Sequence, residues 1–375
     1  MLLTALLCFP YMTKAQKNQD QFYLYVGVYT QSEEEGIVVY RFDALQGALH
    51  YMSTTQGVKN PSYLAIDARR NHLLAVNEIE VYKGQKTGAV SSFNINPANG
   101  SLSLINQEAS GGASPCYISI DKGGRYAYVA NYGGGNVAML PVLPDGTIEP
   151  FSDLQLHRGS GTVAGRQDKP HAHASMIAPN NQMVVVVDLG IDKVITYDID
   201  AKGGKLVQMN EFNMQDGSGP RHLAFHPKGK FVYIISELSS TISACTWDAK
   251  SGQISELMKV STLPVDYEGN NSCADIHISP DGRHLYGSNR GHNSIAIFDI
   301  DQDTGSITAT GHRSVNGKTP RNFVIDPTGK FMLVANQDSN NIVVFKIDKE
   351  SGMLKSNGVE VAVSKPVCLK LMVSK

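Results

Sequence analysis

Residues 60–67 read Asn-Pro-Ser-Tyr-Leu-Ala-Ile-Asp, and versions of this phrase return six more times along the chain. The copies lie roughly 50 residues apart, and internal repeats of that period are typical of propellers and solenoids. Counting from Pro61 as position zero allows equivalent residues of the seven copies to be compared. The other residues at position zero are Pro115, Ala172, Pro220, Cys273, Pro320 and Pro366.

Each repeat contains the same series of turns and short apolar runs. Turn residues such as Pro227-Lys228-Gly229 precede a β-branched and aromatic run, as at 231–235, which is typical of a buried strand. A second turn leads to an alternating strand, as at 342–347, and a Gly-x-Leu turn leads to an outer strand. Four short antiparallel strands per repeat predict one propeller blade. Because no stretch has a sustained helical apolar period, we expect almost no helix and exclude a helical solenoid.

The two ends of the chain predict how the ring closes. Residues 22–52 contain the second, third and outer strands of a repeat but lack its first strand, whereas 365–371 form a lone first strand. Pairing this tail into the first repeat would remove an open sheet edge. The sequence therefore predicts an all-β fold: one seven-bladed β-propeller domain over residues 22–372, closed by its C-terminal strand.

The composition argues against several classes of partner. A net charge of −2 gives no basic footprint for nucleic acid. No segment reaches the roughly 18 apolar residues that a membrane-spanning helix needs. The five cysteines form no Cys-x-x-Cys pair, and we interpret the four in the body of the chain as small core or channel residues. Cys116 falls at a channel-facing repeat position, so a nucleophilic thiol there stays open as an alternative.

The N-terminus differs from the repeats. Residues 1–12 are mostly apolar, and Thr13-Lys14-Ala15 precedes a polar stretch. This pattern predicts a signal peptide over residues 1–15, cleaved after Ala15, and export to the periplasm. A charged segment before the apolar run is missing, so a cytoplasmic location stays open as the alternative.

Two positions of the repeat change from apolar to charged in only a few copies. The first of these positions lies at the start of the innermost strand of each blade, which lines the channel of a propeller. The second lies at the end of the neighbouring strand. Because that strand runs antiparallel to the innermost one, both positions lie at the same face of the ring. Position one holds Ser62, Cys116, His173, Arg221, Ala274, Arg321 and Val367. Position seventeen holds Tyr29, Glu78, Tyr132, Leu189, Glu237, Arg290 and Gln337.

Four of these residues come from three consecutive repeats and should meet at one mouth of the channel: His173, Arg221, Glu237 and Arg290. Charged side chains are rarely buried unless paired, and guanidinium groups with an imidazole suit anion binding and proton transfer. We predict that these four are catalytic. The alternative is a polar ring that only fills a wet channel. The predicted substrate-binding residues are His171, Arg321, Tyr132 and Gln337.

Other polar residues suggest weaker hypotheses. His171 and His173 alternate and could hold a metal ion together with Glu237, but a His-x-His pair is a weak signal and we predict no metal. His222 should face away from Arg221, because neighbours on a strand point to opposite sides, which favours a structural role. Asp188 aligns with asparagines in other repeats and is predicted to make turn or inter-blade hydrogen bonds.

At these residues the chain resembles the lactonase family of seven-bladed propellers, which includes bacterial propeller-type 6-phosphogluconolactonases and fungal carboxymuconate cyclases. The resemblance covers about residues 22–372, nearly the whole chain. The phrases that carry it are Lys169-Pro170-His171-Ala172-His173, Gly219-Pro220-Arg221-His222, Ser236-Glu237 and Ser288-Asn289-Arg290-Gly291.

The resemblance implies a catalytic set of a histidine, an arginine, a glutamate and a second arginine. In this chain that set falls on the four residues already predicted, His173, Arg221, Glu237 and Arg290. The resemblance implies no cofactor. The expected activity is opening of a sugar lactone, first of all 6-phosphogluconolactone, with an anionic small molecule as the only expected partner. A cyclase acting on a muconate-type diacid and a non-catalytic binding propeller remain the alternatives. 6-Phosphogluconolactone is a cytoplasmic sugar phosphate, so it conflicts with the predicted export of the protein. An unphosphorylated lactone therefore stays open as an alternative substrate.

Overall fold

The structure is a computed structural model and describes residues 20–374. This part of the chain contains 28 strands and no helix, so it includes no helix that could span a membrane. The predicted signal peptide lies outside the described residues. The first fourteen strands are β1 (Gln21–Val28), β2 (Gly36–Asp43), β3 (Ala48–Gln56), β4 (Leu64–Ile66), β5 (His72–Asn77), β6 (Ala89–Ile95), β7 (Leu102–Ala109), β8 (Pro115–Ile120), β9 (Tyr126–Asn131), β10 (Asn136–Pro141), β11 (Asp153–Leu156), β12 (Ala172–Ile177), β13 (Met183–Asp188) and β14 (Lys193–Asp200).

The second half of the chain continues the same pattern. Its strands are β15 (Lys205–Asn213), β16 (Pro220–Phe225), β17 (Phe231–Ser236), β18 (Thr241–Trp247), β19 (Ile254–Ser261), β20 (Ser272–Ile278), β21 (His284–Arg290), β22 (Ser294–Ile300), β23 (Ile307–Ser314), β24 (Pro320–Ile325), β25 (Phe331–Asn336), β26 (Asn341–Ile347), β27 (Leu354–Ala362) and β28 (Pro366–Val373). They form seven four-stranded antiparallel sheets, which confirms the seven-bladed propeller.

Ring closure follows the prediction from the chain ends. Blade 1 has the order β28-β1-β2-β3, whereas blades 2 to 7 each consist of four consecutive strands, from β4 to β7 in blade 2 up to β24 to β27 in blade 7. The last strand pairs antiparallel with the first, from Phe22 opposite Val373 to Val28 opposite Pro366. Closure therefore covers the inner edge of β1, which would otherwise be unpaired.

The blades are held together by buried aromatic residues of their second strands. Tyr25, Tyr233 and Tyr286 are fully buried, and each hydroxyl donates a hydrogen bond to a glycine carbonyl of the next blade, at 2.9–3.0 Å. The acceptors are the glycines of the Gly-x-Leu or Gly-x-Ile turns, such as Gly305, whose φ is +75°. A Cβ on Gly305 would lie 2.4 Å from the ring of Phe231, so both the backbone angle and the packing require glycine.

A β-bulge recurs at position one of the inner strands. In six blades the pairing register of the inner strand skips this residue; in blade 5, for example, Pro220 pairs with Ser236 and His222 with Ile235, leaving Arg221 unpaired. A bulge leaves one residue outside the ladder and re-aims its side chain. The bulges therefore present the position-one side chains at the channel mouth.

The predictions for Asp188 and for the four cysteines in the body of the chain agree with the structure. Asp188 accepts hydrogen bonds from the backbone of His171 at 2.7 Å and of Gly190 at 2.9 Å. Its other oxygen lies 2.6 Å from Nδ1 of His157, in the loop that leads from blade 3 to blade 4. Cys116, Cys245, Cys273 and Cys368 are free and buried, as predicted.

Candidate active site

Glu237 lies at the centre of a cluster of arginines at one mouth of the channel. It follows β17 directly, and its Oε2 lies 3.0 Å from Nε of Arg221 and 2.7 Å from Nη2 of Arg290. Its Oε1 pairs with the guanidinium of Arg166. Three of the four predicted catalytic residues, Arg221, Glu237 and Arg290, are thus brought into direct contact from two neighbouring blades.

Burial makes these contacts electrostatically strong. Arg221 is 2% exposed and Glu237 is 5% exposed. Burial alone would raise the pKa of Glu237, but Arg290, Arg221 and Arg166 together lower it to about 2. Burial lowers the pKa of Arg290 to about 10. The carboxylate is therefore ionised at neutral pH, and the guanidinium groups around it outnumber it.

His173 lies beside this cluster and, within residues 20–374, makes no hydrogen bond to it. Its ring meets those of Tyr132 and His222 edge-on, with centroids 5.5 and 5.4 Å away. Its Nδ1 is 3.8 Å from Sγ of Cys116. Burial, and after it the charge of Arg221, lowers the pKa of His173 well below its usual range, so the imidazole is neutral at pH 7.

Arg166 was missed by the repeat comparison. It belongs to the loop between β11 and β12, which lies outside the repeated phrase, and its side chain is 41% exposed above Glu237. The buried amide of Gln167 fixes this loop: its oxygen accepts from the backbone of Thr162 and Val163, both at 3.0 Å, and its nitrogen donates to Leu189 O at 2.8 Å. The signal available in the sequence was the unusual length of this connection on the site face.

A second charged cluster lies at the same mouth, on blades 7, 1 and 2. Arg321 donates to the hydroxyl of Tyr29 at 2.8 Å and lies over its ring, and that hydroxyl donates to Glu78 at 2.9 Å. Although burial acts to lower the pKa of Arg321, the charges of Tyr29 and Glu78 raise it. Arg321 is therefore a fixed cation at the same mouth as the Glu237 cluster.

The other predicted substrate-binding residues line the mouth to different degrees. His171 stacks on Tyr132 with centroids 4.3 Å apart, and its Nδ1 lies 2.9 Å from Tyr132 O. Both side chains are half-buried. Gln337 donates to the neighbouring Asp338 at 3.1 Å, whereas its Oε1 is buried without a hydrogen-bond partner in the described chain.

The predicted orientation of His222 is wrong. Its Nε2 lies 3.3 Å from Nη1 of Arg221 instead of facing away. The reason is the bulge at Arg221, which interrupts the strict alternation of side chains and lets two consecutive residues face the channel.

Two alternatives from the sequence find little support in the geometry. Burial raises the pKa of Cys116, so its thiol is protonated at neutral pH and is not the thiolate that a nucleophile requires; it donates to the carbonyl of His173 at 3.4 Å, and Nδ1 of the same histidine lies 3.8 Å away. For a metal at His171, His173 and Glu237, both carboxylate oxygens are already engaged by arginines. No three His, Cys, Asp or Glu side chains converge as a ligand set in residues 20–374.

Access to the cluster is restricted. A cleft of about 870 Å³ is lined by residues of the β1–β2 and β3–β4 connections, such as Thr30 and Lys59. None of the predicted site residues lines it. A ligand therefore reaches Glu237 and His173 past the half-buried side chains of the mouth, Arg166 and Tyr132 among them.

Comparisons with known proteins agree with this architecture. A family model described as "Lactonase, 7-bladed beta-propeller" matches residues 23–371. The 6-phosphogluconolactonase of Bacillus subtilis is 36% identical over 302 residues, which cover 80% of this chain and 84% of that protein. The 6-phosphogluconolactonase of Formosa agariphila is 36% identical over 309 residues, 81% and 86% of the two chains. The solved structure of the Pseudomonas aeruginosa periplasmic gluconolactonase has a TM-score of 0.89 and 34% identity, covering 95% of this chain and 100% of that one.

Proposed function

Because the chain belongs to the lactonase family of seven-bladed β-propellers, we propose that it hydrolyses the ring ester of a sugar lactone. The proposed substrate is 6-phosphogluconolactone, which would be opened to 6-phosphogluconate. The relatives named 6-phosphogluconolactonase support this choice at 36% identity.

One observation carries the assignment to the channel mouth: positive charge exceeds negative charge there. Arg166, Arg221 and Arg290 surround the single carboxylate of Glu237. In addition, Nε of Arg290 is buried and has no hydrogen-bond partner in residues 20–374. Buried donors are almost always satisfied, so a bound oxygen anion would complete this site. A phosphate, a carboxylate or a developing oxyanion has the required chemistry.

The proposed mechanism uses neutral His173 as the base. It takes a proton from water as the water oxygen attacks the lactone carbonyl carbon, and the carbonyl oxygen becomes an oxyanion. The guanidinium groups of Arg221 and Arg290 stabilise that charge in a water-poor site. The ring C–O bond then breaks, and the leaving ring oxygen receives the proton from His173. Glu237 holds both guanidinium groups in place and stays ionised throughout, because its pKa is about 2.

We further propose that Arg321, Tyr132, His171 and Arg166 bind the substrate. Arg321 adds a further cation at this mouth, on blade 7, which suits a second anionic group such as a phosphate. The stacked rings of Tyr132 and His171 offer a flat surface for a sugar ring. Gln337 supplies a buried oxygen, Oε1, as an acceptor for a sugar hydroxyl.

We also propose that the chain is exported to the periplasm. The apolar N-terminal segment ending at Ala15 supports this location, and the similar Pseudomonas aeruginosa protein is a periplasmic gluconolactonase. An exported chain would meet unphosphorylated sugar lactones, which are therefore the second candidate substrate beside 6-phosphogluconolactone. Immunoblotting of osmotic-shock fractions tests the location: a chain confined to the cytoplasm would contradict it.

The experiment that tests the activity measures hydrolysis of two lactones by the purified protein. Rates with 6-phosphogluconolactone and glucono-1,5-lactone are compared after subtraction of spontaneous opening, with His173→Ala beside the wild type. We expect turnover that falls at least about 100-fold in His173→Ala. The control is His50→Ala, because His50 is exposed on the outer strand β3. Absence of turnover on both lactones would overturn the assignment and favour a diacid cyclase or a binding propeller.

A further inference from the structure

A line of buried polar side chains continues from Arg221 into the channel, away from the proposed substrate. Nη1 of Arg221 lies 3.3 Å from Nε2 of His222, and Nδ1 of His222 lies 2.8 Å from Oδ1 of Asp275. The three residues are 2–4% exposed. Polar groups this deeply buried must satisfy one another.

The chemistry of the end groups fixes the direction of every hydrogen bond in this line. A guanidinium can only donate and a carboxylate can only accept. His222 must therefore accept at Nε2 and carry its proton on Nδ1. Burial, and after it the charge of Arg221, lowers the pKa of His222 to about 4, so the ring is neutral at pH 7, as this arrangement requires.

Asp275 is itself held firmly. Its oxygens accept from Nε2 of His277 at 2.9 Å, from the side-chain amide of Asn322 and from the backbone of Ile276 at 3.0 Å. Although burial acts to raise the pKa of Asp275, His277 and His222 hold it well below its usual range. A carboxylate with this many donors is fixed in position, ionised, and able to impose one tautomer on its neighbour.

These contacts leave Arg221 with one free edge. Its Nε donates to Glu237 at 3.0 Å, and its Nη1 donates to Ala274 O at 2.7 Å and to His222. The two N–H groups on Nη2 make no hydrogen bond within residues 20–374, so they are the ones that remain for a substrate oxygen.

We infer that Asp275 and His222 are positioning residues, which together hold the guanidinium of Arg221 so that Nη2 faces the reacting lactone. Asp275 acts through the tautomer of His222, and His222 acts by accepting from Nη1. This inference rests on the proposed lactonase activity for its kinetic consequences, whereas the tautomer itself can be observed without any substrate.

The first arm of the test is nitrogen-15 NMR of the His222 ring in the wild-type protein at pH 7. The result expected is a protonated Nδ1 and an unprotonated Nε2. A proton on Nε2, or a charged ring, would overturn the inference. Because this arm needs no turnover, it decides the inference even if neither lactone is hydrolysed and the proposed function fails.

The second arm compares Asp275→Asn with His277→Gln. In Asp275→Asn the new amide can donate to Nδ1, which favours the tautomer that presents an N–H to Arg221. We expect kcat/KM to fall about 10–100-fold, mostly in kcat, because a small misplacement of a group that acts in the transition state is costly. His277→Gln removes another partner of the same carboxylate without touching His222 and should change kcat/KM less than about threefold. Equal losses in the two variants would overturn the inference.

A third arm guards against misfolding of the Asp275 variant. Glutamine at 222 can place an acceptor near the position of Nε2, whereas asparagine reaches only the position of Nδ1. We expect His222→Gln to keep kcat/KM within about fivefold of the wild type and His222→Asn to lose about 10–100-fold, at similar melting temperatures. The reverse order would overturn the inference.

Discussion

Glu237 is the residue on which the arrangement of the mouth depends. It compensates the buried charges of Arg221 and Arg290 and also pairs with Arg166, which lies above it. A buried ion pair contributes little compared with an apolar replacement of both partners, but removing one partner leaves an uncompensated charge in the interior. The cluster is therefore sensitive to loss of the single carboxylate.

We predict that Glu237→Gln lowers the free energy of unfolding by about 3–5 kcal/mol, because Arg221 stays buried without a counter-charge. The same change should lower kcat/KM for the lactone at least about 100-fold, since both guanidinium groups lose their common anchor. Urea unfolding and steady-state kinetics measure the two effects. Glu211→Gln is the control: its ion pair with Lys193 is about one-third exposed, so its loss should cost less than about 1 kcal/mol. Similar losses in both variants would contradict the prediction.

The buried histidines predict how stability depends on pH. His222 has a pKa of about 4 in the folded protein, and that of His173 is also lowered, so the unfolded chain binds these protons more readily between about pH 4 and pH 6.5. Stability is therefore lost as the pH falls through this window, by about 1.4 kcal/mol per pH unit for each histidine. Glu237, with a folded pKa of about 2, adds a further loss below about pH 4.5.

A series of urea unfolding curves between pH 4 and pH 6.5 measures this slope. In His222→Gln we expect the slope to decrease by about 1.4 kcal/mol per pH unit, because one linked proton is gone. In His50→Ala, which changes an exposed histidine, the slope should stay the same. An unchanged slope in His222→Gln would show that this ring is not buried in its neutral form.

The inner strands show what could be predicted from the sequence at the level of single elements. Aligning the repeats identified position one and position seventeen, and Arg221, Glu237 and Arg290 do meet. The contact between Arg221 and His222 could not be predicted, because a β-bulge is a local change of register and alternation in the sequence gives no sign of it. Arg166 lies in a non-repeated loop, where alignment offers no equivalent position.

The loop between β11 and β12 leads to a prediction of its own. Gln167 is fully buried and supplies three hydrogen bonds to the loop and to Leu189, so Gln167→Ala should loosen the segment that presents Arg166. We expect KM for 6-phosphogluconolactone to rise about 5–50-fold, as in Arg166→Ala, because ordering the loop then costs free energy on binding. Arg158→Ala changes an exposed arginine of the same loop and serves as the control. An unchanged KM in Gln167→Ala would contradict the proposal that Arg166 binds the substrate.

In the whole molecule, the ring is closed by the two ends of the chain. This closure could be predicted from the sequence, because the first repeat lacks its first strand and the C-terminal tail supplies one. Pairing the tail into the first repeat is the arrangement that covers the open edge of that repeat. Blade 1 joins β28 to β1, and Asn322 of blade 7 accepts a hydrogen bond from Leu369 N at 2.7 Å. The tail thus ties blade 1 to blade 7 as well as completing its own sheet.

We predict that ending the chain at Ser364 prevents the propeller from staying soluble as a folded monomer. The truncation would expose the whole edge of β1, and such an edge pairs with other chains. Size-exclusion chromatography and circular dichroism of the purified chain measure the outcome. Removal of Lys375 alone is the control, because β28 ends at Val373. A truncated chain that is monomeric and as stable as the control would contradict the closing role of the tail.

The most direct test of the proposed site measures the effect of Arg221→Lys on the kinetics of lactone hydrolysis. His173→Ala is measured beside it. The control is Arg125→Lys, which makes the same substitution at an exposed arginine. Lysine keeps the charge, but its single ammonium nitrogen cannot stand at the separate positions from which Nε and Nη1 of Arg221 reach Glu237 and Ala274 O while Nη2 is left for a substrate oxygen. We predict that Arg221→Lys and His173→Ala each lower kcat/KM at least about 100-fold, while Arg125→Lys does not change it. Near-normal kinetics in both Arg221→Lys and His173→Ala would contradict the assignment of catalysis to this mouth of the channel.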